Sequence, residues 1–253
     1  MSYSLNNIVL QRENKTLYID GDKIIKLYVK NHTKSYVLNE AINHARVEEN
    51  TNLNIPKLLE VPKINDQWAL VVENVEGKTL AQLMQENPDK IDLYLNMFVD
   101  IQLEVLSQSV TLLNRIKDKF RRKIANLTTI DESTRFELLQ KLEGMKNHAK
   151  LCHGDFNPSN IIIKNDGSHY ILDWAHATQG NASADVARTY LIFKMENKDD
   201  LAEQYLKLFA QKSGIEVKHI QRWIPLVAAE QLEKGKPEEQ EFLLKCVNVA
   251  EYQ

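Results

Sequence analysis

The side chains most capable of chemistry are concentrated in residues 153–185, which read HGDFNPSNIIIKNDGSHYILDWAHATQGNASAD. Asp155, Asn160 and Asp173 supply carboxylate and amide oxygens within this stretch. Such oxygens are hard ligands that suit Mg²⁺, which keeps several waters and shares phosphate oxygens. A carboxylate that is not bound to metal can instead orient a hydroxyl group and accept its proton. The stretch therefore predicts metal-assisted phosphoryl transfer to a hydroxyl.

Two apolar runs predict how these side chains are positioned. Residues 161–164 and 169–172 read as the strands of a hairpin, joined by an Asn-Asp-Gly turn. Asn160 precedes the first strand and Asp173 follows the second, so antiparallel pairing places both at the same open end. We predict that Asn160 and Asp173 hold Mg²⁺. We predict that Asp155, in the loop that feeds this end, is the catalytic residue.

The same residues have a simpler interpretation when taken one at a time. A single Asn or Asp beside a hairpin is more typical of a turn or a cap. All three in this order, followed by Asp185 at a predicted helix start, favour a functional site. We interpret Asp185 as a buried brace for the catalytic loop or as a helix cap. His153 is expected to be a buried structural histidine.

The first 75 residues predict mostly strands. LYID (17–20) and KIIKLYVK (23–30) are separated by a tight-turn signal, Asp20-Gly21-Asp22. One helix is predicted from about Lys34 to Glu49. Two further strands, KLLEVPKI and QWALVVENV, follow it. The order indicates a small antiparallel sheet with one helix.

The chain after Val75 is mostly helical in pattern, apart from a short β insertion at about 151–174. A β-rich lobe followed by a helical lobe is an α+β architecture. We predict lobes at residues 1–75 and 76–253, with a hinge around residues 73–78. The predicted helices are TLAQLMQE and residues 89–106, 112–127, 132–148, 182–194, 199–212, 217–233 and 237–250.

One motif set resembles a known family. HGDFNPSN, followed by ILDWAHA and ADVAR, is similar to the signature of aminoglycoside phosphotransferases and choline-kinase-like enzymes, HGDxxxxN with a downstream (I/L)D(W/F). The resemblance extends from about residue 16 to residue 195. It implies a bilobal protein-kinase-like fold, with a small antiparallel-sheet N-lobe containing one helix and a larger helical C-lobe.

The resemblance also implies a nucleotide site. Lys26 is placed like the strand lysine that pairs with the ATP phosphates, and Glu40 like the helix carboxylate that positions this lysine. VVENVEGKTL (71–80) looks like the hinge, where adenine meets backbone groups near Glu73 and Val75. The implied cofactors are ATP and Mg²⁺.

The implied activity is ATP-dependent transfer of the γ-phosphate to a hydroxyl of a small molecule that is aminoglycoside-, choline- or sugar-like. One departure is that residues 11–15, the nucleotide loop, contain no glycine. A second is that the run from Asp173 to Asp185 is too short for the activation loop of a protein kinase. A nucleotide-binding pseudokinase with a regulatory role is an alternative, and a protein kinase is a less favoured one.

Composition excludes several classes of partner. The chain has 253 residues and a net charge of −3, without the basic excess of a dedicated nucleic-acid binder. No apolar run approaches the ~20 residues that span a membrane, and the first residues lack the pattern of a signal peptide. Cys152 and Cys246 form no disulfide framework, so we expect a cytoplasmic protein. Its expected partner is a small molecule.

Two charged segments have competing interpretations. The basic run at residues 115–123, RIKDKFRRK, is interpreted as a solvated helix face. The acidic residues Glu230, Glu233, Glu238, Glu239 and Glu241 are interpreted mainly as solvated. If they lined a cleft, they would favour amines, so a cationic or polyhydroxylated acceptor is expected.

Overall fold

A computed structural model gives the structure of residues 3–248. These residues form two compact units. The first unit contains the chain up to residue 88 together with residues 158–176, and the second contains residues 89–157 and the chain from 177 onward. The first unit therefore includes the hairpin that was predicted from the sequence. The predicted lobe boundary near residue 75 stays a prediction.

The first unit is built on a six-stranded antiparallel sheet and one long helix. The strand order is β1-β2-β3-β6-β4, and β5 pairs with β6. The predicted helix and the strands predicted at 17–20, 23–30 and 67–75 are confirmed, while β1 was not individually predicted. The single strand predicted at 57–64 is wrong, because the chain forms two short strands there. Pro62 lies between them, and a proline cannot donate an N–H to a sheet. The elements are β1 (Ile8–Gln11), β2 (Lys15–Asp20), β3 (Lys23–Tyr28), α1 (Lys34–Asn50), β4 (Leu58–Glu60), β5 (Lys63–Ile64) and β6 (Gln67–Glu73).

Successive side chains of β3 point to opposite faces of the sheet, and each face packs into its own small hydrophobic core. Ile24 and Tyr28 pack with Val37 and Ala41 of α1. Ile25 and Leu27 pack on a separate cluster with Ala69 and Val71. Because side chains alternate between the faces of a strand, Lys26 lies on the face that packs against α1.

A second, three-stranded sheet in the first unit contains the hairpin. β9 (Ile161–Ile163) and β10 (His169–Ile171) pair antiparallel, with Ile161 opposite Ile171. β7 (Lys78–Thr79) joins β9 and was not predicted. Its approach requires Gly77, since a Cβ there would lie 2.5 Å from the carbonyl oxygen of Ile163. The helix α2 (Leu80–Glu86) follows directly.

The second unit is helical apart from one two-stranded sheet, in which β8 (Lys150–Cys152) pairs with β11 (Thr178–Gly180). No described helix of the protein is long and apolar enough to cross a membrane. The helices of this unit are α3 (Ile91–Ser107), α4 (Ile116–Ala125), α5 (Glu132–Gly144), α6 (Ala182–Met195), α7 (Asp199–Ser213), α8 (Val217–Gln221), α9 (Ile224–Leu232) and α10 (Pro237–Cys246).

The predicted helix at residues 217–233 is wrong as a single element. The chain forms two helices, α8 and α9, and Pro225 lies in the first turn of α9. Proline lacks an N–H and fits a first turn but not a helix interior, which accounts for the break. The predicted helix at 237–250 ends at Cys246, and its last two residues lie outside the described part of the chain.

Candidate active site

Two of the four residues predicted to bind the nucleotide, Lys26 and Glu40, meet in the first unit. Lys26 of β3 is 7% exposed and its Nζ lies 2.9 Å from Glu40 Oε1 and 3.4 Å from Asp173 Oδ1. The hydroxyl of Tyr28 donates to the second oxygen of Glu40 at 2.6 Å. The structure thus brings Lys26, Glu40 and Asp173 together, and Glu40 is held from both sides.

Sequence reasoning missed a second lysine in this group. Lys15 of β2 is 8% exposed, and its Nζ lies 3.3 Å from Asp173 Oδ2 and 4.0 Å from Glu40 Oε1. Lys15 pairs in register with Tyr28, and Lys26 with Leu17, so both lysines project from the same face of the sheet. Because side chains alternate between the faces of a strand, the position of Lys15 beside Lys26 could be inferred only if the pairing of β2 with β3 were known. We call Lys15, Lys26, Glu40 and Asp173 the Lys26 cluster.

Electrostatics keep the Lys26 cluster charged. Burial alone would lower the pKa of Lys26, but Asp173 and Glu40 outweigh it and raise the pKa above its ordinary value. Burial alone would raise the pKa of Glu40, but the neighbouring lysines hold it below its usual range. The cluster is therefore a set of ion pairs in which the charged forms of Lys26 and Glu40 stabilise each other.

The two residues predicted to bind Mg²⁺ lie at the same end of the hairpin. Leu172 donates its N–H to the carbonyl oxygen of Asn160 at 2.8 Å, which sets Asn160 beside the residue preceding Asp173. Asn160 is 8% exposed and ends a short 3₁₀ turn. Asp173 has a positive φ of 60°, a conformation uncommon outside glycine and one that clusters at functional sites.

This donor set fits the ion. A carboxylate and an amide oxygen are hard donors, and two protein ligands leave room for waters and phosphate oxygens, as Mg²⁺ prefers. The ion would compete with Lys15 and Lys26 for the oxygens of Asp173. Asn160 and Asp173 would hold it.

The predicted hinge borders a separate cavity of the first unit. Glu73 and Val75 line it together with Asp22 and Tyr170, and its volume is about 380 Å³. The backbone N–H of Asn74 is already hydrogen-bonded, because it donates to the carbonyl oxygen of Asp22 at 2.8 Å. In the described part of the chain, the backbone N–H and C=O of Val75 form no hydrogen bond. They are available to the edge of a base.

Asp155 lies in the second unit, in a segment that we call the Asp155 loop (residues 153–157). The N–H of Asp155 donates to Nδ1 of His153 at 3.2 Å, and the side-chain amide of Asn157 donates to the Asp155 carbonyl at 2.9 Å. His153 is fully buried and packs edge-on against Phe156. The predicted burial of His153 is confirmed, and its structural role stays a prediction.

Helix α6 braces the Asp155 loop. Asp185 is 1% exposed and accepts the N–H of Gly154 at 2.7 Å. The N-cap of α6 is Asn181, so Asp185 is the buried brace and not the cap. Burial raises the pKa of Asp185, and the Gly154 N–H offsets part of this rise.

Further supports of the loop were not recognised in the sequence. The hydroxyl of Thr189 donates to the carbonyl of Phe156 at 2.8 Å. Gln102 of α3 donates to Asp185 at 3.5 Å and accepts from the hydroxyl of Tyr205 at 2.5 Å. Asp185 and Thr189 are four residues apart and so share a helix face. That spacing was the only signal in the sequence.

The second unit also corrects the interpretation of the charged segments. Lys119 and Lys123 of the basic run lie 3.3 Å and 2.9 Å from Glu230 Oε1, and Glu230 is only 4% exposed. The run is therefore not simply a solvated face, and Glu230 is not a solvated acid. Because Lys119 and Lys123 neutralise Glu230, this carboxylate gives no support to a cationic acceptor.

One known protein family matches most of the chain. The model of the APH family, described as the phosphotransferase enzyme family, matches residues 9–217. The chain therefore belongs to this family, and the resemblance found in its motifs is confirmed. No protein of curated function matches the chain in sequence.

Solved structures of similar fold span nearly the whole chain. A thermostable mutant of aminoglycoside phosphotransferase APH(4)-Ia, in ternary complex with AMP-PNP and hygromycin B, is 14% identical with a TM-score of 0.72, covering 99% of this chain and 94% of that one. ADP-bound aminoglycoside phosphotransferase APH(2'')-Ib is 15% identical with a TM-score of 0.62, covering 100% and 93%.

A structure from another branch is also similar. A choline/ethanolamine kinase family protein from Mesorhizobium loti is 14% identical with a TM-score of 0.58, covering 98% of this chain and 89% of that one. At such identities the similarity shows the fold. The predicted α+β, protein-kinase-like fold class is confirmed.

Proposed function

We propose that the protein transfers the γ-phosphate of ATP to a hydroxyl group of a small molecule. The observation that carries this proposal is the Lys26 cluster, in which Lys26 touches both Glu40 and Asp173. Two buried lysines beside a carboxylate at a hairpin end form a receptor for a polyphosphate and its metal ion. Membership of a phosphotransferase family supports the same conclusion.

The nucleotide residues have separate tasks in this proposal. Lys26 and Lys15 bind phosphate oxygens, and Glu40 holds Lys26 in place. The backbone at Val75, beside Glu73, receives the adenine edge. Mg²⁺, held by Asn160 and Asp173, would neutralise charge that develops on the phosphate oxygens. Structures of similar fold contain AMP-PNP or ADP, which supports ATP as the donor.

Asp155 has the chemical task in the proposed reaction. It orients the acceptor hydroxyl, whose oxygen attacks the γ-phosphorus while the bond to the β–γ bridging oxygen breaks. Asp155 accepts the hydroxyl proton, and ADP leaves with the bridging oxygen. Because the transition state is loose, positioning and charge stabilisation dominate the rate. The bracing of the Asp155 loop by Asp185 and Thr189 serves this positioning.

The acceptor classes implied by the resemblance are aminoglycosides, choline and sugars. One similar structure contains hygromycin B, and another belongs to the choline/ethanolamine kinase family. These support a small hydroxyl compound as acceptor. We also propose a cytoplasmic location, since Cys152 and Cys246 are both buried and form no disulfide.

A coupled ADP-release assay over a panel of aminoglycosides, choline and sugars, with and without Mg²⁺, tests the proposal. We expect at least one hydroxyl compound to stimulate ADP release in a Mg²⁺-dependent way. Nucleotide binding without turnover on any acceptor would favour the pseudokinase alternative. Phosphorylation of peptides on an array, with none of small molecules, would favour a protein kinase.

A further inference from the structure

Arg188 of α6 has hydrogen-bonding capacity that the protein does not use. It is 7% exposed, and its only ion pair among the described residues joins Nη2 to Asp155 Oδ1 at 3.6 Å. Its Nε and Nη1 are buried and have no hydrogen-bond partner within residues 3–248. Leaving donors of a buried cation unsatisfied is costly, because they have lost water without gaining an acceptor. Such a group at an active site indicates a ligand that completes it.

The chemistry of that ligand follows from the guanidinium. Nε and a terminal nitrogen form a planar fork that matches two oxygens of a carboxylate or a phosphate. The contact to Asp155 is longer than a strong charge-assisted hydrogen bond, in which the nitrogen and oxygen are about 2.7–2.9 Å apart. Asp155 therefore neutralises Arg188 only in part and leaves the fork open to a second anion.

The surroundings of Arg188 reinforce this conclusion. Burial, and then the charge of Arg188, lower the pKa of Lys234 from 10.5 to about 8, as expected where positive charge is in excess. The nearby acid Glu230 is already paired with Lys119 and Lys123. Glu239 is likewise paired with Lys236 at 2.8 Å. Neither acid is free to take the open side of Arg188.

A second polar atom without a partner among the described residues lies on α9, a helix that packs against α6. Gln231 of α9 is 2% exposed; its side-chain amide donates to Glu239, and its Oε1 is buried without a partner. An additional hydroxyl on the ligand would supply the donor that this oxygen lacks.

We infer that the acceptor carries a carboxylate or phosphate group a few bonds from the hydroxyl that is phosphorylated, and that Arg188 binds this group. The inference rests on the proposed function, because it takes Asp155 as the residue that faces the hydroxyl. The short span from Arg188 to Asp155 limits the number of intervening bonds. A sugar-like acid or sugar phosphate meets these requirements, whereas a purely cationic acceptor places its charge against Arg188.

Matched acceptor pairs test the inference with the wild-type chain. Sugar acids are compared with their primary amides, and sugar phosphates with the free sugars, by coupled ADP release. We expect the anionic member of a productive pair to have a kcat/KM about 100-fold higher, as for hydrogen bonds to a charged group. Equal efficiency for the two members, or turnover only with choline or aminoglycosides, would overturn the inference.

Variants locate the effect at Arg188. Arg188→Gln should reduce the preference for the anionic member toward unity, and Arg188→Lys should restore it only in part because the fork is lost. Arg122→Gln, at an exposed arginine of α4, is the matched control and should keep the wild-type preference. An equal loss on both members of each pair in Arg188→Gln would instead assign Arg188 to the transferred phosphate and refute the inference.

A binding arm decides the outcome if no acceptor in the panel is turned over. AMP-PNP with Mg²⁺ is titrated first by calorimetry. Inorganic phosphate and malonate are then titrated at constant ionic strength, both without nucleotide and with AMP-PNP and Mg²⁺ at high concentration. We expect at least one anion to bind the wild type and Arg122→Gln, and neither anion to bind Arg188→Gln. Absence of anion binding while AMP-PNP binds would overturn this inference alone. Anion binding without AMP-PNP binding would overturn the proposed function instead.

Discussion

The Lys26 cluster and the surroundings of Arg188 treat buried positive charge in opposite ways. In the cluster two lysines meet two carboxylates, and Glu40 also accepts from Tyr28. At Arg188 a single long contact to Asp155 leaves two nitrogens without partners. In the Lys26 cluster the charged groups already pair with one another, so a bound ligand must replace some of these ion pairs. The arrangement at Arg188 needs a ligand to become complete.

Buried charge can therefore serve two purposes in this protein. In the Lys26 cluster, balanced charges are already in position for a ligand that binds together with a metal ion. At Arg188, unbalanced positive charge favours a negatively charged ligand. Substitutions in the two regions should have different effects.

Asp155→Asn should have the largest effect on turnover. The substitution keeps the shape of the side chain but removes the proton acceptor. We expect kcat to fall by about 10²–10⁴, as for a positioned acid/base group, while calorimetry shows unchanged affinity for AMP-PNP. The exposed Asp166→Asn is the control and should keep full activity. Turnover of Asp155→Asn within a few-fold of wild type would remove Asp155 from the reaction.

Lys26→Met should have the largest effect on stability. It leaves Glu40 and Asp173 facing each other with only Lys15 between them. Removing one partner of a buried ion pair costs about 3 kcal/mol of the free energy of unfolding, measured by urea denaturation. Lys23→Met on the same strand breaks only a partly exposed pair with Glu60 and should cost less than about 1 kcal/mol. Equal costs for the two variants would show that the cluster is not held by charge.

Tyr28→Phe should have a smaller effect on the same cluster. It removes the hydroxyl that donates to Glu40 at 2.6 Å. We expect a loss of about 2 kcal/mol in the free energy of unfolding, typical of a hydrogen bond to a charged group. The control is Tyr18→Phe, at a tyrosine of β2 whose hydroxyl forms no hydrogen bond in the described part of the chain. If both variants unfold alike, the contact with Glu40 contributes nothing.

Lys234→Met should change the pH dependence of stability in the second unit. Lys234 has a pKa of about 8 in the folded chain and an ordinary value of 10.5. Between these pH values the unfolded chain binds more protons, so this lysine makes stability rise with pH from about 8 to 10.5 and costs stability below 8. The charged groups that act on it are Arg188, Glu230, Asp155 and Lys119.

The measurement compares the free energies of unfolding of wild type and Lys234→Met from pH 7 to 10.5. The variant should be more stable at pH 7 by on the order of 1 kcal/mol, and the difference should shrink as pH rises. A difference that is independent of pH would show that burial and the charge of Arg188 do not lower the pKa of Lys234.

The sequence predicted those parts of the site that depend on local pattern. The resemblance to the family paired Lys26 with Glu40, and hairpin pairing placed Asn160 and Asp173 at the same open end. Lys15 was missed because its role depends on the register of β2 against β3. Residues 11–15 lack the glycines of a nucleotide loop, so the sequence gave no reason to select Lys15.

Contacts between distant helices could not be predicted in the same way. Glu230 is far along the chain from Lys119, and only the packing of α4 against α9 pairs them. The open donors of Arg188 are invisible in the sequence because they depend on which partners folding fails to supply. The expectation of solvated acids at the C-terminal end followed from composition alone, and packing overrode it at Glu230.

The most direct test of the central claim is the Mg²⁺ dependence of AMP-PNP binding in wild type and Asp173→Ala, measured by calorimetry at low and high Mg²⁺. If the Lys26 cluster receives the nucleotide phosphates, Mg²⁺ should strengthen binding to the wild type, because Asn160 and Asp173 hold the ion that bridges the phosphates. Asp173→Ala should lose this dependence, whereas Lys23→Met should keep it. Identical dependence in wild type and Asp173→Ala would contradict the claim that the Lys26 cluster is the nucleotide site.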